Sequence, residues 1–298
     1  MKSLTWPAWP VLWVSLLLGP VMAAEGPPSG APPEAAGQAA QDDPIDDAAM
    51  DILERMANTL AEARGFSVTI RANYDAVQDT GEKIEFGERR TVMLSRPGAL
   101  RVDSQESDGK RTQVTFDGTA ITVFDPAENA YARIEQAGSV DDAVHHMVQD
   151  LQVRLPLALL LVSSLPQELQ ERLQALDYVE RDTLAPVPAD HLAGQTEDVD
   201  FQVWIAAEGP PLPHRITITY KTEDGEPQYR ADLTDWKLNP DVSAAQLAFS
   251  PPDGAERIPF LIRSPRTAAG HAPAAEDAAG GGSGASGSAA GSTEGAPK

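Results

Sequence analysis

The chain has 298 residues, 45 acidic against 23 basic side chains, a formal net charge of −22 and no cysteine. That charge makes it a poor match for phosphate backbones or an anionic membrane surface, so no nucleic-acid partner is expected. Without thiols there is no disulfide, cysteine metal site, thiolate nucleophile or acylated cysteine after the leader.

Residues 1–24 read as a secretory signal peptide. Lys2 gives a positive start, Val11 to Leu18 a short apolar run, and Val21-Met22-Ala23-Ala24 small residues for cleavage. The competing reading, a retained anchor helix, has to contend with a run that is short for a bilayer. Export places the mature protein in a bacterial periplasm or, alternatively, outside the cell. Residues 25–44, rich in Ala, Pro, Gly and Asp, read as a flexible leader. Asp42-Asp43 and Asp46-Asp47 read as the acidic start of a helix, which the helix dipole favours, rather than as calcium ligands. Ile52, Leu53, Met56 and Leu60 then fall at helical spacing, predicting a helix from Ile45 to Arg64 ended by Gly65.

Phe66, Val68, Ile70, Ala72 and Tyr74 alternate as a first strand. Ile84, Phe86, Val92 and Leu94 share one parity along a long second strand. Glu88 and Arg90 share it too, so either the strand bulges or its apolar face is interrupted. Alternation continues through Leu100, Val102, Val114, Phe116, Ile121 and Val123, punctuated by Arg96-Pro97-Gly98, Asp108-Gly109 and Asp117-Gly118. This is the pattern of an antiparallel meander with one apolar face. Tyr131 to Glu135 predicts a further short strand.

Between 139 and 176 the period changes. Ser139 caps a helix expected to run to about Arg154, with Val144, Met147, Val148 and Leu151 on one side, before Pro156 stops it. The stretch LPLALLLV at 155–162 is apolar all round. It is either an ordinary core segment or a lid over a ligand cavity, and Pro156 and Pro166 make it a separable piece. A short helix is expected from Gln167 to Leu176, then strands at 177–184, 197–206, 214–222 and 228–238. Residues 263–298, rich in Ala, Gly and Ser, carry too little apolar surface to offset ordering entropy and predict a disordered tail. One globular domain remains, 45–262. The expected fold class is α+β: a curved antiparallel sheet forming an incomplete barrel, with helices covering its concave face.

The leading helix, SRPGALRV at 95–102, the Asp-Gly turns at 108–109 and 117–118, and the closing AFSPPDGAERIPF at 248–260 together resemble the LolA/LolB-like lipoprotein-carrier superfamily. More closely, the chain is similar to a family of predicted periplasmic proteins thought to share that fold. The resemblance implies an incomplete barrel that binds acyl chains of lipoproteins or other lipids without a cofactor. It also implies a lid-gating role for Arg96, which stands before Pro97 where the carriers place an arginine that holds their helical lid shut. The plainer reading is that Arg96 caps a strand end and pairs with an acidic neighbour.

The histidines, His145, His146, His191, His214 and His271, form no HExxH, and the sequence holds no GxSxG or phosphate-cradling glycine loop. Adjacent His145 and His146 diverge on a helix, and His191 and His214 are expected near turns. No catalytic residue, metal site or cofactor is therefore expected. The expected function is non-catalytic binding of a lipid or acylated lipoprotein as a periplasmic carrier, with a membrane-bound donor or acceptor protein as further partner and the chain a monomer. The alternative is a periplasmic sensor or regulatory protein-interaction domain on the same fold, and a hydrolase ranks third. Expected cavity residues are Phe66, Val68, Val92, Leu94, Leu100, Val102, Val114 and Phe116, with Leu157, Leu160 and Leu161 in the lid. Parity selects one face of each strand without saying which is concave.

Overall fold

The computed structural model describes residues 44–150 and 155–259. The expected signal peptide, the leader before residue 44, the tail from 263 and the helix end at 151–154 lie outside the described residues.

Helix α1 (Asp47–Glu62) starts where Asp46 accepts hydrogen bonds from the amides of Ala48 (2.7 Å) and Ala49 (3.1 Å). Its Leu53, Met56, Ala57 and Leu60 are buried against the sheet. The first meander follows: β1 (Gly65–Val77), β2 (Lys83–Ser95), β3 (Ala99–Glu106), β4 (Arg111–Phe116), β5 (Ala120–Asp125) and β6 (Ala130–Glu135). After the helical insert comes a second: β7 (Ala175–Asp182), β8 (Ala189–Gln195), β9 (Val199–Ala206), β10 (Pro213–Tyr220) and β11 (Gln228–Leu238). With the short closing strand β12 (Glu256–Arg257), they join as one sheet because β11 returns beside β1, giving the order β12-β6-β5-β4-β3-β2-β1-β11-β10-β9-β8-β7. Every pairing is antiparallel except that of β12 with β6. The ends β12 and β7 do not meet, so the barrel stays open, and the fold is the expected α+β half-barrel with helices over its concave face.

The insert consists of α2 (Val140–His145), a wider π-type turn at His146–Asp150, the leucine segment, and α3 (Leu165–Arg172). Ser139 and Asp142 form a reciprocal capping box at the start of α2. On the sheet's other face, Phe249 packs on Phe124 and Tyr131, 5.4 and 5.3 Å between ring centres. The closing segment beyond β11 thus covers the outer side of β5 and β6.

Three expectations need correction. The helix from Ser139 gives way to the π-type turn after His145, and the next helix is Leu165–Arg172, with Leu176 already inside β7. Strand β8, which carries His191, was not expected: Ala189, Asp190, Ala193 and Gly194 are weak strand formers. It is held instead by Asp190, only 5% exposed, which accepts hydrogen bonds from Tyr178 (3.2 Å) and Arg181 (2.8 Å) on β7. Finally, Gly65 does not end α1 by a left-handed turn, since the helix stops at Glu62 with Ala63 extended. Gly65 is required by contact: a Cβ there would sit 2.3 Å from the carbonyl oxygen of Leu94. Gly65→Ala is therefore expected to wedge β1 from β2 and cost about 1–3 kcal/mol. A lowered denaturant midpoint with unchanged slope checks it.

Candidate functional site

β1 and β2 pair without a register shift from Gly65↔Ser95 to Val77↔Lys83. The second strand does not bulge, so Glu88 and Arg90 project onto the same face as Val92 and Leu94. That face is the concave one, because Phe66, Val68, Val92 and Leu100 on it pack with α1 and the insert in the main core.

The leucine segment lies across this face. Leu157 takes a left-handed conformation (φ 65°) and opens a tight turn at Ala158–Leu161, with Leu160 buried at 8% exposure. On one side is an apolar cleft of about 130 Å³ floored by Phe66, Val68, Ile70, Val92, Leu100, Val102 and Val114. Met147, Leu155, Leu157, Leu160 and Leu161 close it from the insert. On the other side, a cleft of about 140 Å³ is lined by Leu53 and Met56 of α1, Leu165 and Leu169 of α3, and Val203, Ile216 and Ile218 of the second meander. Leu157 and Leu160 line both.

Leu94 and Phe116, by contrast, are 0% and 1% exposed and line neither cleft; they belong to the sealed core. Met147, Ile70 and Trp236 line the first cleft although the sequence did not mark them as cavity residues. Trp236 reaches it through a bulge. Ser67 pairs with Lys237 but Thr69 with Thr234, and Asp235 takes φ 55°. The extra residue shifts the parity of β11, turning Trp236 onto the face of Phe66, at 5.4 Å between rings. Its indole donates to the carbonyl of Pro213 at 2.9 Å.

Arg90 and Pro156 also border a polar vestibule of about 690 Å³. Arg90 donates from Nε (3.1 Å) and Nη2 (2.8 Å) to one oxygen of Glu88, and the Tyr229 hydroxyl donates to the other at 2.9 Å. Burial raises the Tyr229 hydroxyl far above its ordinary range, so it remains a neutral donor.

Arg96 sits at the opposite end of β2. Its Nη1 donates to Asp141 of α2 at 3.1 Å and its Nη2 to the Leu60 carbonyl of α1 at 3.5 Å, while Nε is buried with no partner among the described residues. Asp141 in turn accepts the Ser163 amide at 3.0 Å and the Ser163 hydroxyl. Ser163 immediately follows the leucine segment, so Arg96 and Asp141 connect the sheet, α1, α2 and the segment's far end. The turns noted in the sequence converge beside it. The Val140 amide donates to the Pro97 carbonyl at 2.7 Å, and a Cβ on Gly98 would meet Gly118 at 3.4 Å. Burial pulls the Arg96 guanidinium below its ordinary pKa, with Asp141 opposing that shift.

A family model for predicted periplasmic proteins, DUF2092, matches residues 49–261. The chain belongs to that family. The DUF2092 match runs from the first turn of α1 past β12, so it takes in the clefts, the vestibule and the Arg96 network. Solved structures similar to this DUF2092 chain include a LolA superfamily protein from Nitrosomonas europaea, at 13% identity over 67% of this chain and 97% of that one, TM-score 0.34. Another is the lipoprotein LppX of Mycobacterium tuberculosis, at 13% identity over 67% and 99%, TM-score 0.41. A third is the Pseudomonas aeruginosa MucA/MucB complex, at 18% identity over 68% and 61%, TM-score 0.38. No curated protein sequence matches the chain.

The histidines of this DUF2092 protein are scattered. His145 lies 3.4 Å from Glu168, whereas His146 meets Asp150 at 2.6 Å. His191 stacks on Trp204 at 4.0 Å within the sheet. His214 opens β10, where burial lowers its pKa; His271 lies outside the described residues. Among the described residues, no three His, Asp or Glu side chains gather as a metal site.

Proposed function

We propose that this family member is a non-catalytic periplasmic carrier that takes an acyl chain of a lipid or lipoprotein into the concave groove, with the leucine segment as its lid. The observation that carries this reading is the segment's position, inserted between two apolar clefts and bounded by Pro156 and Pro166. Phe66, Val68, Val92, Leu100, Val102 and Val114 would form the floor, and Leu157, Leu160 and Leu161 the movable wall.

Volume decides how it would work. Small-molecule pockets typically run about 300–1,000 Å³, and clefts of about 130 and 140 Å³ fall short. The present form is therefore closed, and a ligand must displace the leucine segment. Burying a 16-carbon chain contributes on the order of 12 kcal/mol, at about 0.8 kcal/mol per methylene. Lifting the buried Leu160 and the half-buried Leu157 and Leu161 costs about 3–6 kcal/mol on the same scale, which a long acyl chain outweighs and a short-chain molecule does not. Cleavage of residues 1–24 would release the carrier into the periplasm, where a membrane-bound protein would donate or accept the cargo.

Native mass spectrometry of the protein purified from the periplasm without detergent, followed by organic extraction, tests this. A discrete adduct that extracts as an acyl lipid is expected. A bare mass that stays bare after incubation with membrane-lipid vesicles would overturn the carrier reading.

A further inference from the structure

We infer that Trp236 sets the shape of the cargo. As a fixed wall along one side of the apolar groove, it admits a slender, unbranched chain and turns away a branched one of equal carbon count. This inference rests on the lipid-binding reading above. Its first support is where the indole stands. β11 lies between β1 and β10, so it runs beneath the boundary between the cleft floored by β1 to β4 and the one floored by β9 and β10. Ala231 and Leu233 of β11 are sealed, at 2% and 0% exposure. Among the described residues, Trp236 is the one member of β11 that lines either cleft, and it lines the first alone. Leu157 and Leu160 part the two clefts from above; Trp236 bounds the first from below.

The second support is rigidity. When cargo enters, the two leucines move with their segment, but Trp236 belongs to the sheet. β11 is paired to β1 on both sides of the bulge, and the extra residue, with Asp235 at φ 55°, fixes the indole on the concave face. The indole N–H is held by the Pro213 carbonyl at 2.9 Å, and the ring packs on Phe66 at 5.4 Å. Turning the ring aside would leave the donor without its acceptor and strip Phe66 of an aromatic neighbour. The floor facing the lid is equally stiff, since Val68, Val92, Val102 and Val114 are β-branched. A straight chain needs only the space that the leucines vacate. A branch must press on Trp236 or on the valines, and packed walls resist added carbon they cannot accommodate.

Dodecanol and its branched isomer butyloctanol test the shape, because they share carbon count and head group and so gain equally from burial as such. Without residues 1–24, the chain keeps only Trp204 and Trp236 of its five tryptophans. Trp204 stacks on His191 and lines neither cleft, so in Trp204→Phe the emission of Trp236 reports the first cleft directly. Dodecanol is expected to shift that emission and to bind about tenfold or more tighter than butyloctanol. Competition against a fluorescent acyl probe extends the comparison to the unaltered chain and to variants at the wall. The preference should all but vanish in Trp236→Ala. It should narrow by less in Trp236→Phe, which keeps a ring on Phe66 but offers Pro213 no N–H; this variant carries the test if Trp236→Ala fails to fold. Asp235→Gly suits the positive φ, leaves the indole in place and should keep the full preference. A tryptophan that is merely structural would weaken both alcohols alike. An unchanged ratio in the Trp236 variants, or equal binding of the two alcohols to the unaltered chain, would therefore overturn the inference while leaving the carrier reading intact. Failure of both alcohols to bind or to compete with the probe would overturn the carrier reading itself.

Discussion

Leu160→Asp is expected to leave the half-barrel folded while unseating the leucine segment, whereas Leu94→Asp is expected to abolish folding. Both residues are buried leucines on the concave side, at 8% and 0% exposure, so composition alone would treat them alike. The difference lies in what surrounds them. Leu94 is paired with Phe66 on one side and Leu100 on the other, inside the sheet. A carboxylate there has no path to water, and burying an unpaired charge costs more than the whole stability of a typical domain can absorb. Leu160 belongs to a short turn with a cleft on either side. A carboxylate at that position reaches water when the segment lifts, so the cost is limited to the lost leucine contacts, about 2–4 kcal/mol. The lifted state also exposes the floor of the groove. Circular dichroism should show the sheet retained in Leu160→Asp, with a large gain in fluorescence of an apolar dye and faster uptake of an acyl probe. Wholesale unfolding, as in Leu94→Asp, would mean that the segment is ordinary core and that nothing opens.

This contrast also marks how far the sequence could be read. Strand parity correctly grouped Phe66, Val68, Val92, Leu94, Leu100, Val102, Val114 and Phe116 on one face, because period-two alternation survives wherever ladders keep register. It could not separate Leu94 and Phe116 from their neighbours, since whether a strand residue is sealed or borders a cleft depends on where the insert lies above it. Trp236 was hidden for a related reason: the bulge at Asp235 reverses parity, and its positive φ has no signature in a non-glycine residue. Glu88 and Arg90 were visible as an interruption of the apolar pattern, but the two explanations, bulge or charged face, separate only once the β1–β2 register is known. β8 fell below detection because its strand state comes from pairing with β7 and β9, with Asp190 bound by β7, rather than from the strand propensity of its residues. The vestibule is tertiary throughout. Its walls come from the ends of β1, β3, β10 and β11, the middle of β2, Pro156 of the insert and the turn after β10, which no local pattern brings together.

Arg96→Leu is expected to hold its cargo more tightly than the unaltered protein, and to surrender it more slowly to acceptor vesicles. In the closed form Arg96 is tied to Asp141, and Asp141 to Ser163 at the end of the leucine segment. Interactions that exist only in the closed, empty form favour release, because ligand binding must break them; removing one shifts the equilibrium toward the open, loaded form by the free energy it supplied. That free energy is moderate. The ion pair is partly shielded, at 14% and 23% side-chain exposure, which strengthens it relative to a surface pair. Burying Nε with no acceptor among the described residues works against it. A net of about 1–2 kcal/mol follows, equivalent to roughly 5–30-fold in affinity. Asp141→Asn should shift the equilibrium in the same direction by less, because the amide can still accept from Ser163 while the charge interaction is lost. Transfer rates of a fluorescent acyl probe, with stability measured in parallel, separate the two readings of this arginine. Slower transfer in both variants, graded Arg96→Leu over Asp141→Asn, makes it the latch of the lid. Unchanged transfer with lowered stability would leave it only the task of fixing α2 to the end of β2.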